Sequence, residues 1–156
     1  MKTNIGINEA HLLSVAEELN KLLADEVVLY FQVRNYHWNI EGINFNQMHL
    51  FFEKQFNELD EIMDAVAERI RTIGHYAEAR LSDYIKLTQL VEQPYSNDQG
   101  KQLNYLLSSQ ETIIRALRKL VALFNDEYKD AGSGDFVTQL LGKHEKMAWM
   151  TRAYLM

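Results

Sequence analysis

The stretch NYHWNIEGINFNQMHLFFE, residues Asn35–Glu53, ends one apolar, helix-like segment and begins the next. It places His37 near the end of the first segment and His49 near the start of the second, with Glu53 one helical turn after His49. Burying imidazoles and a carboxylate among so many aromatic side chains is costly unless they bind something. The stretch therefore indicates a ligand site where two helices meet.

The composition narrows the class of protein. The chain has 156 residues, 47% of them hydrophobic, with 7 Gly and 1 Pro, which excludes a disordered or fibrous chain. It has no Cys, so disulfides and thiolate metal sites are excluded. The net charge of −6 argues against a general binder of polyanions. We see neither a signal peptide nor a membrane span, and expect one soluble, cytoplasmic domain over residues 1–156.

Apolar residues recur at three- and four-residue steps along most of the chain, as in amphipathic helices. Gly74 is placed to end the second long helix, and Asp135, after the loop KDAGSGD, is placed to cap the last one. The pattern predicts an all-α, four-helix bundle with a short extra helix between the second and third long helices. The expected long helices are Asn8–Trp38, Asn44–Ile73, Asp98–Tyr128 and 136–156, and the short one covers 82–92.

The second helix carries a further pair of carboxylates, Asp64 and Glu68, on the same face as His49 and Glu53. Along the helix axis, His49 and Glu68 are roughly 28 Å apart, and Glu53 and Asp64 roughly 16 Å. A metal ion with ligand bonds near 2 Å cannot bridge these gaps within one straight helix.

The midpoint between His49 and Glu68 lies between positions 58 and 59 of the helix. The midpoint between Glu53 and Asp64 lies at the same place. If two copies of the helix pack antiparallel about a two-fold axis at that level, His49 meets Glu68 of the partner subunit. Glu53 likewise meets Asp64 of the partner subunit. The arrangement predicts two identical sites per dimer, roughly 22 Å apart, each built from both chains.

His37 would complete a cluster of two imidazoles and three carboxylates. This ligand set suits iron or another borderline divalent ion rather than calcium. A metal centre inside one bundle would use Glu-x-x-His motifs on two helices, and no Glu stands three residues before any of the 5 histidines. We therefore place the centre between subunits.

A simpler interpretation of the acidic pairs stays open. Asp and Glu at four-residue spacing usually form a solvated face, and Lys54 or Arg69 could pair with them. A single histidine is likewise more often half-buried than a ligand. His11 and His144 lie among charged residues and are expected at the surface.

The sequence resembles the Dps family, the mini-ferritins first described as DNA-binding proteins from starved cells. The similarity rests on NYHWNIEGINFNQMHLFFE, LDEIMDAVAERIRTIG and HEKMAWMTRAYL and extends over essentially the whole chain. It implies a hollow homo-dodecamer built on two-fold dimers, with ferroxidase sites at the two-fold interfaces. It also implies oxidation of Fe(II), preferably by hydrogen peroxide rather than dioxygen, and storage of ferric mineral inside the shell.

The resemblance assigns roles to individual residues. His37 and His49 match the family's histidine ligands, and Asp64 and Glu68 match the acidic ligands from the other subunit. Glu53 stands where the family usually has Asp, so that it either coordinates iron directly or acts through water.

Two further residues carry weaker assignments. Trp38 matches the aromatic residue beside the site, proposed to take up stray oxidising equivalents, although interface packing explains it equally well. Asp135 resembles an acidic residue of the three-fold pore through which Fe(II) enters, although a helix N-cap would explain it too.

The resemblance leaves two functions from different classes. The first is a ferroxidase and iron store that protects against oxidative damage. The alternative is a nucleoid-compacting, DNA-binding protein with little catalysis. Only Lys2 supplies a basic residue before the first helix, and twelve chains at −6 each would carry about −72, which repels duplex DNA. We therefore expect the ferroxidase, with DNA binding unlikely and no membrane partner.

Overall fold

The fold is an all-α, four-helix bundle with one short helix in the long connection, as the sequence predicts. The structure is a computed structural model that describes residues 3–156, so Lys2 lies outside the described residues. The helix α4 continues into a π-helical turn, Leu123–Glu127. The helices are α1 (Glu9–Asn39), α2 (Phe45–Thr72), α3 (Leu81–Leu87), α4 (Gln99–Ala122) and α5 (Ala131–Ala153).

The ends of α1 and α2 follow from local chemistry. The side chain of Asn8 caps α1 by accepting a hydrogen bond from the backbone N–H of Ala10 at 2.8 Å. Gly74 has φ +97° and ends α2. The N–H of Gly74 donates to the carbonyl of Arg71 at 3.0 Å, and that of His75 donates to Ile70 at 3.1 Å. These two bonds form a Schellman cap, whose left-handed position favours glycine, so the predicted role of Gly74 is confirmed.

The short helix α3 stops at Leu87, five residues before the predicted end at 92. The reason is a buried carboxylate on α1. Asp25 accepts hydrogen bonds from the hydroxyl of Thr88 at 2.7 Å and from the backbone N–H of Gln89 at 2.8 Å. The Gln89 N–H is therefore engaged by a side chain instead of continuing the helix, and the backbone of Thr88 is already extended, with φ −65° and ψ 142°.

The last helix starts earlier than predicted, and its cap is Asp130 instead of Asp135. The buried carboxylate of Asp130 accepts a hydrogen bond from the backbone N–H of Ser133 at 2.9 Å. Arg69 of α2 donates to Asp130 at 3.2 Å and to the hydroxyl of Ser133 at 3.0 Å. This network draws the segment that was predicted as a loop into the first turn of α5. Asp135 lies exposed one turn later, where it accepts a hydrogen bond from Gln139.

The bundle core combines two antiparallel helix pairs, α1 with α2 and α4 with α5. Apolar side chains from all four helices are fully buried, among them Leu12, Leu19, Phe52, Ile62, Leu103 and Val137. The prediction that His144 lies at the surface is wrong, because its side chain is completely buried against Glu26. Helical periodicity places His144 on the apolar stripe of α5, whereas the charged residues beside it in the sequence suggested a surface position. Within residues 3–156, no helix has the length and apolar character needed to traverse a bilayer.

Candidate metal centre

The two histidines of the opening stretch bind each other's backbones where α1 ends and α2 begins. Nδ1 of His37 donates to the carbonyl of His49 at 2.9 Å, and Nδ1 of His49 donates to the carbonyl of His37 at 2.8 Å. The rings stack with centroids 3.6 Å apart. Because a carbonyl can only accept, the proton of each neutral ring lies on Nδ1. Both Nε2 atoms therefore carry a lone pair, the form in which a histidine binds a metal ion.

Aromatic side chains hold this histidine pair from both sides. The ring of Phe45 stacks on His49 with centroids 5.1 Å apart, and the edge of Phe56 contacts His37 at 5.1 Å. Gly42, with φ +114°, makes the reversal that brings the start of α2 back to the end of α1. Local sequence thus fixes the position and the tautomer of both rings within one chain.

Arg34 is a residue near the centre whose position the sequence analysis missed. Its guanidinium lies 3.8 Å from the centroid of the Phe56 ring, which in turn contacts His37. Its Nε donates to the hydroxyl of Tyr30 at 2.9 Å. The four-residue spacing of Tyr30, Arg34 and Trp38 places all three on one face of α1 and was the available signal. Trp38 itself is 63% exposed, with the Arg34 guanidinium 5.9 Å from its ring.

One chain does not bring Asp64 and Glu68 to the histidines. Glu53 is half-buried, and Asp64 and Glu68 are exposed farther along α2. Across residues 3–156, no three His, Asp or Glu side chains lie close enough together to hold a metal ion. Asp64 instead borders a surface cleft of about 490 Å³ lined by α1, α2 and α3. The single chain therefore supplies two nitrogen donors at one place and an acidic helix face at another.

The ion pairs offered as a simpler explanation of the acidic face do not form among the described residues. Arg69 binds Asp130 and Ser133 rather than Glu68. No ion pair in residues 3–156 joins Lys54 to Glu53 or involves Asp64. The carboxylates of this face are consequently left to water or to another molecule.

Comparison with known proteins places the chain in a family. The ferritin-like domain model matches residues 16–156. A low temperature-induced protein of Nostoc is 35% identical across 99% of this chain and 87% of its own length. A DNA protection during starvation protein of Porphyromonas gingivalis is 33% identical, covering 96% of this chain and 93% of its own. The crystal structure of a Dps protein from Vibrio cholerae matches with a TM-score of 0.94 and 31% identity, covering 100% of this chain and 98% of that one.

The chain belongs to the Dps family. The Vibrio cholerae Dps protein is described as a member of a broad superfamily of ferritin-like diiron-carboxylate proteins. This Dps chain shares that protein's fold from end to end, including α3 in the long connection. The family resemblance of the sequence is therefore confirmed for membership and for fold.

Proposed function

We propose that this Dps protein is a ferroxidase and iron store, and that iron is its substrate. The observation that carries the proposal is the reciprocal bonding of His37 and His49, which leaves the Nε2 lone pairs of the two stacked rings free of the backbone. Imidazole and carboxylate together are a donor set suited to iron. The description of the Vibrio cholerae relative as a diiron-carboxylate protein supports the same assignment.

In this proposal each iron site is shared between two subunits. His37, His49 and Glu53 come from one chain, and Asp64 and Glu68 come from its partner across a two-fold axis. The support within one chain is that Asp64 and Glu68 are exposed and free of ion pairs in the part that the structure describes. Glu53, one methylene longer than Asp, acts directly or through a water molecule.

The surface of α2 fits the antiparallel arrangement at the level of the axis. Leu59 is buried in its own core, and Glu58 turns away to bind Lys143 at 2.7 Å. At the same level, Asn57 and Asp60 are exposed on the face that carries the acidic pairs. A two-fold axis there would bring Asn57 against Asp60 of the partner subunit, a polar contact that the two side chains can satisfy.

Exposed apolar side chains around the histidines support burial by a partner. Monomeric proteins rarely leave several large apolar residues exposed together, and such groups usually mark an interface. The exposed residues at this end of the bundle are Phe31, Trp38, Ile43 and Phe45. We assign Trp38 to this interface, where it can also donate an electron to a stray oxidant.

In the proposed reaction, the electrons lost by Fe(II) equal those gained by hydrogen peroxide, so no other reactant is needed. Two Fe(II) ions each lose one electron, and hydrogen peroxide takes both electrons as its O–O bond breaks to give two hydroxide groups. Pairing the two electrons avoids release of a hydroxyl radical. The carboxylates stabilise the higher charge of the ferric product, and dioxygen is the slower alternative oxidant.

Storage requires a closed shell, and we propose a homo-dodecamer built from the two-fold dimers. Its ferric mineral would form in the interior, with Asp135 at the three-fold pore through which Fe(II) enters. The exposure of the Asp135 carboxylate near the start of α5 supports this position. Light scattering tests the shell, and finding only monomers at micromolar concentration would contradict it.

The alternative of a DNA-compacting protein is less well supported. Several relatives are named for DNA protection during starvation. Such protection can come from removing iron and peroxide as well as from binding DNA. The net charge of −6 per chain opposes binding to duplex DNA at physiological salt. A gel-shift assay at neutral pH without divalent cations separates the two functions.

The deciding experiment mixes iron-free protein with Fe(II) and hydrogen peroxide under anaerobic conditions. We expect ferric absorbance to rise while a spin trap detects no more hydroxyl radical than the blank. The variant His49→Ala should lose the fast phase, and His75→Ala, which removes a histidine far from the centre, should keep it. Oxidation no faster than that of free Fe(II), or equal rates in the two variants, would contradict the proposal.

A further inference from the structure

A buried acid–base pair lies inside the bundle, away from the proposed iron site. Glu26 of α1 and His144 of α5 both have 0% exposed side chains. Oε1 of Glu26 and Nε2 of His144 are 2.9 Å apart. The contact joins the first and last helices of the bundle through its apolar interior.

The pair has no other polar partner among residues 3–156. The 2.9 Å contact is poorly aligned for a hydrogen bond, and Glu26 Oε2 and His144 Nδ1 have no hydrogen-bond partner at all. Buried polar groups are normally satisfied, because each unpaired one costs free energy. Glu26 and His144 therefore depend on each other for any compensation of charge.

The other buried titratable groups are engaged elsewhere. Asp25 is held by Thr88 and Gln89, Asp130 by Ser133 and Arg69, and His37 by His49. Burial raises the pKa of Tyr36 to about 12, which keeps that phenol neutral.

The charged groups closest in sequence to the pair are themselves matched, and the polar core residues of α2 and α4 are neutral. Lys143 binds Glu58 of α2, and Glu145 binds Arg118 of α4, all at the surface. The buried amides Gln55 and Gln110 bond each other at 3.0 Å. Within residues 3–156, these neighbouring charged groups are therefore paired with one another and do not balance a charge on Glu26 or His144.

Electroneutrality then fixes the number of protons in the pair. With one proton, the pair is either carboxylate with imidazolium or carboxylic acid with imidazole, and it is neutral in both forms. With no proton it holds a lone buried anion, and with two it holds a lone buried cation. Either lone charge would be strongly unfavourable in the interior.

We propose that Glu26 and His144 hold a single proton between them and that this proton couples the stability of the bundle to pH. In the unfolded chain, free Glu and His titrate near 4.3 and 6.5. Above about pH 6.5 the unfolded pair binds no proton while the folded pair binds one, so rising pH favours unfolding. Below about pH 4.3 the unfolded pair binds two protons, so falling pH favours unfolding as well. Between these limits the pair makes no contribution to the slope.

The pH effect has a defined size. Above about pH 6.5 each further pH unit lowers the folding equilibrium constant up to about tenfold, until the folded pair itself loses its proton. The effect does not depend on iron, so it can be tested in iron-free protein.

Proton release on unfolding tests the proposal directly. Assembled, iron-free protein is unfolded in guanidinium at about pH 8 in weak buffer, and the released protons are counted per chain. Wild type should release about one proton more than Glu26→Gln, in which the pair holds no titrating proton at that pH. The control Glu145→Gln removes an exposed carboxylate beside His144 and should release as many protons as wild type.

A second variant covers the case in which Glu26→Gln does not fold. Replacing a buried ionic pair with apolar residues is often tolerated, so Glu26→Leu/His144→Leu should fold and show the same deficit of about one proton. Equal release by wild type and by whichever of these core variants folds would overturn the proposal. A deficit in Glu145→Gln as large as that in the core variants would overturn it too.

Discussion

The imidazoles of His37 and His49 are locked to each other's backbone, with Nδ1–O distances of 2.9 and 2.8 Å. The carbonyl of His37 lies in the last turn of α1, where carbonyl groups lack partners within the helix. One hydrogen bond therefore completes the end of α1, and the other ties α1 to the first turns of α2. The same two bonds direct both Nε2 atoms away from the backbone. The histidines thus serve structure through one nitrogen and, in the proposed function, iron through the other.

The two roles of His37 can be separated by substitution. Asparagine can place an amide N–H near the position of Nδ1 but has no group at Nε2. We expect His37→Asn to fold with nearly wild-type stability. Its peroxide-dependent oxidation of Fe(II) should be more than about tenfold slower than that of wild type. His37→Ala should lose the same activity and in addition about 1–3 kcal/mol of stability, because a buried hydrogen bond is removed.

The measurements are thermal unfolding and stopped-flow ferric absorbance on the same preparations. Asn and Ala variants of equal stability would show that the Nδ1 bond does not tether the helices. An Asn variant with full activity would show that Nε2 of His37 is not needed for oxidation.

Sequence reasoning located this pair because helix ends and turn residues are local signals. Gly42 lies between two helical patterns, and apolar periodicity places His37 before it and His49 after it. It did not locate the stacking of Arg34 on Phe56, because an arginine near a helix C-terminus already has a sufficient electrostatic explanation. The contact between those side chains depends on how α1 packs against α2, which the pattern of one helix does not contain.

The corrected start of α5 gives a stability test. Asp130 caps the helix and binds Arg69, whereas Asp135 is exposed and bonds only Gln139. Removing an N-cap usually costs about 0.5–2 kcal/mol, and here Arg69 also loses its partner. We expect Asp130→Ala to lose at least about 1 kcal/mol, and Asp135→Ala to stay within about 0.5 kcal/mol of wild type. Thermal unfolding of both variants measures the two losses of stability. A larger loss in Asp135→Ala than in Asp130→Ala would restore Asp135 as the cap.

The errors in predicted helix ends share a cause. Asp130 and Asp25 act through contacts with Arg69 and Gln89, residues 61 and 64 positions away along the chain. Glycines at 132 and 134 favour a loop by local propensity, and the tertiary network overrides that preference. His144 was misplaced for the same reason, since its partner Glu26 lies on the first helix.

Tyr36 provides a test at alkaline pH. Burial raises its pKa to about 12, partly opposed by the hydrogen bond that Gln32 donates to its hydroxyl at 2.8 Å. Because the phenol ionises near pH 10 in the unfolded chain, its contribution to stability is complete below about pH 10. That contribution is lost as the pH rises toward 12.

We expect wild type to lose up to about 2–3 kcal/mol over this interval through Tyr36, a loss that Tyr36→Phe should not show. Denaturant unfolding from pH 9 to 12 gives the comparison. In a titration followed by tyrosinate absorbance, Tyr36→Phe should lack one of the phenols that ionise last in wild type. The exposed Tyr76 supplies the control, because Tyr76→Phe should retain the wild-type slope. If Tyr36→Phe loses stability as steeply as wild type, the buried phenol is not the cause.

The proposed sharing of each iron site between two subunits makes a prediction that only an inter-subunit arrangement satisfies. His49→Ala and Asp64→Ala should each lose most of the fast oxidation, because each variant removes a ligand from every site. After the two variants are mixed, dissociated and reassembled, about half of the dimers should contain one chain of each kind. In such a dimer, one site takes His49 from the Asp64→Ala chain and Asp64 from the His49→Ala chain. The other site lacks both residues. Roughly a quarter of all sites should then regain every ligand, and the fast phase should recover in proportion.

A site contained within one chain would behave differently, because every chain in the mixture still lacks one ligand and reassembly would restore nothing. Subunit exchange is verified by mass spectrometry of the mixed assemblies. Reassembling His49→Ala with itself gives the baseline rate. Verified exchange with no recovery above that baseline would refute the two-fold site, and recovery near a quarter of the wild-type amplitude would assign His49 and Asp64 of opposite chains to one iron centre.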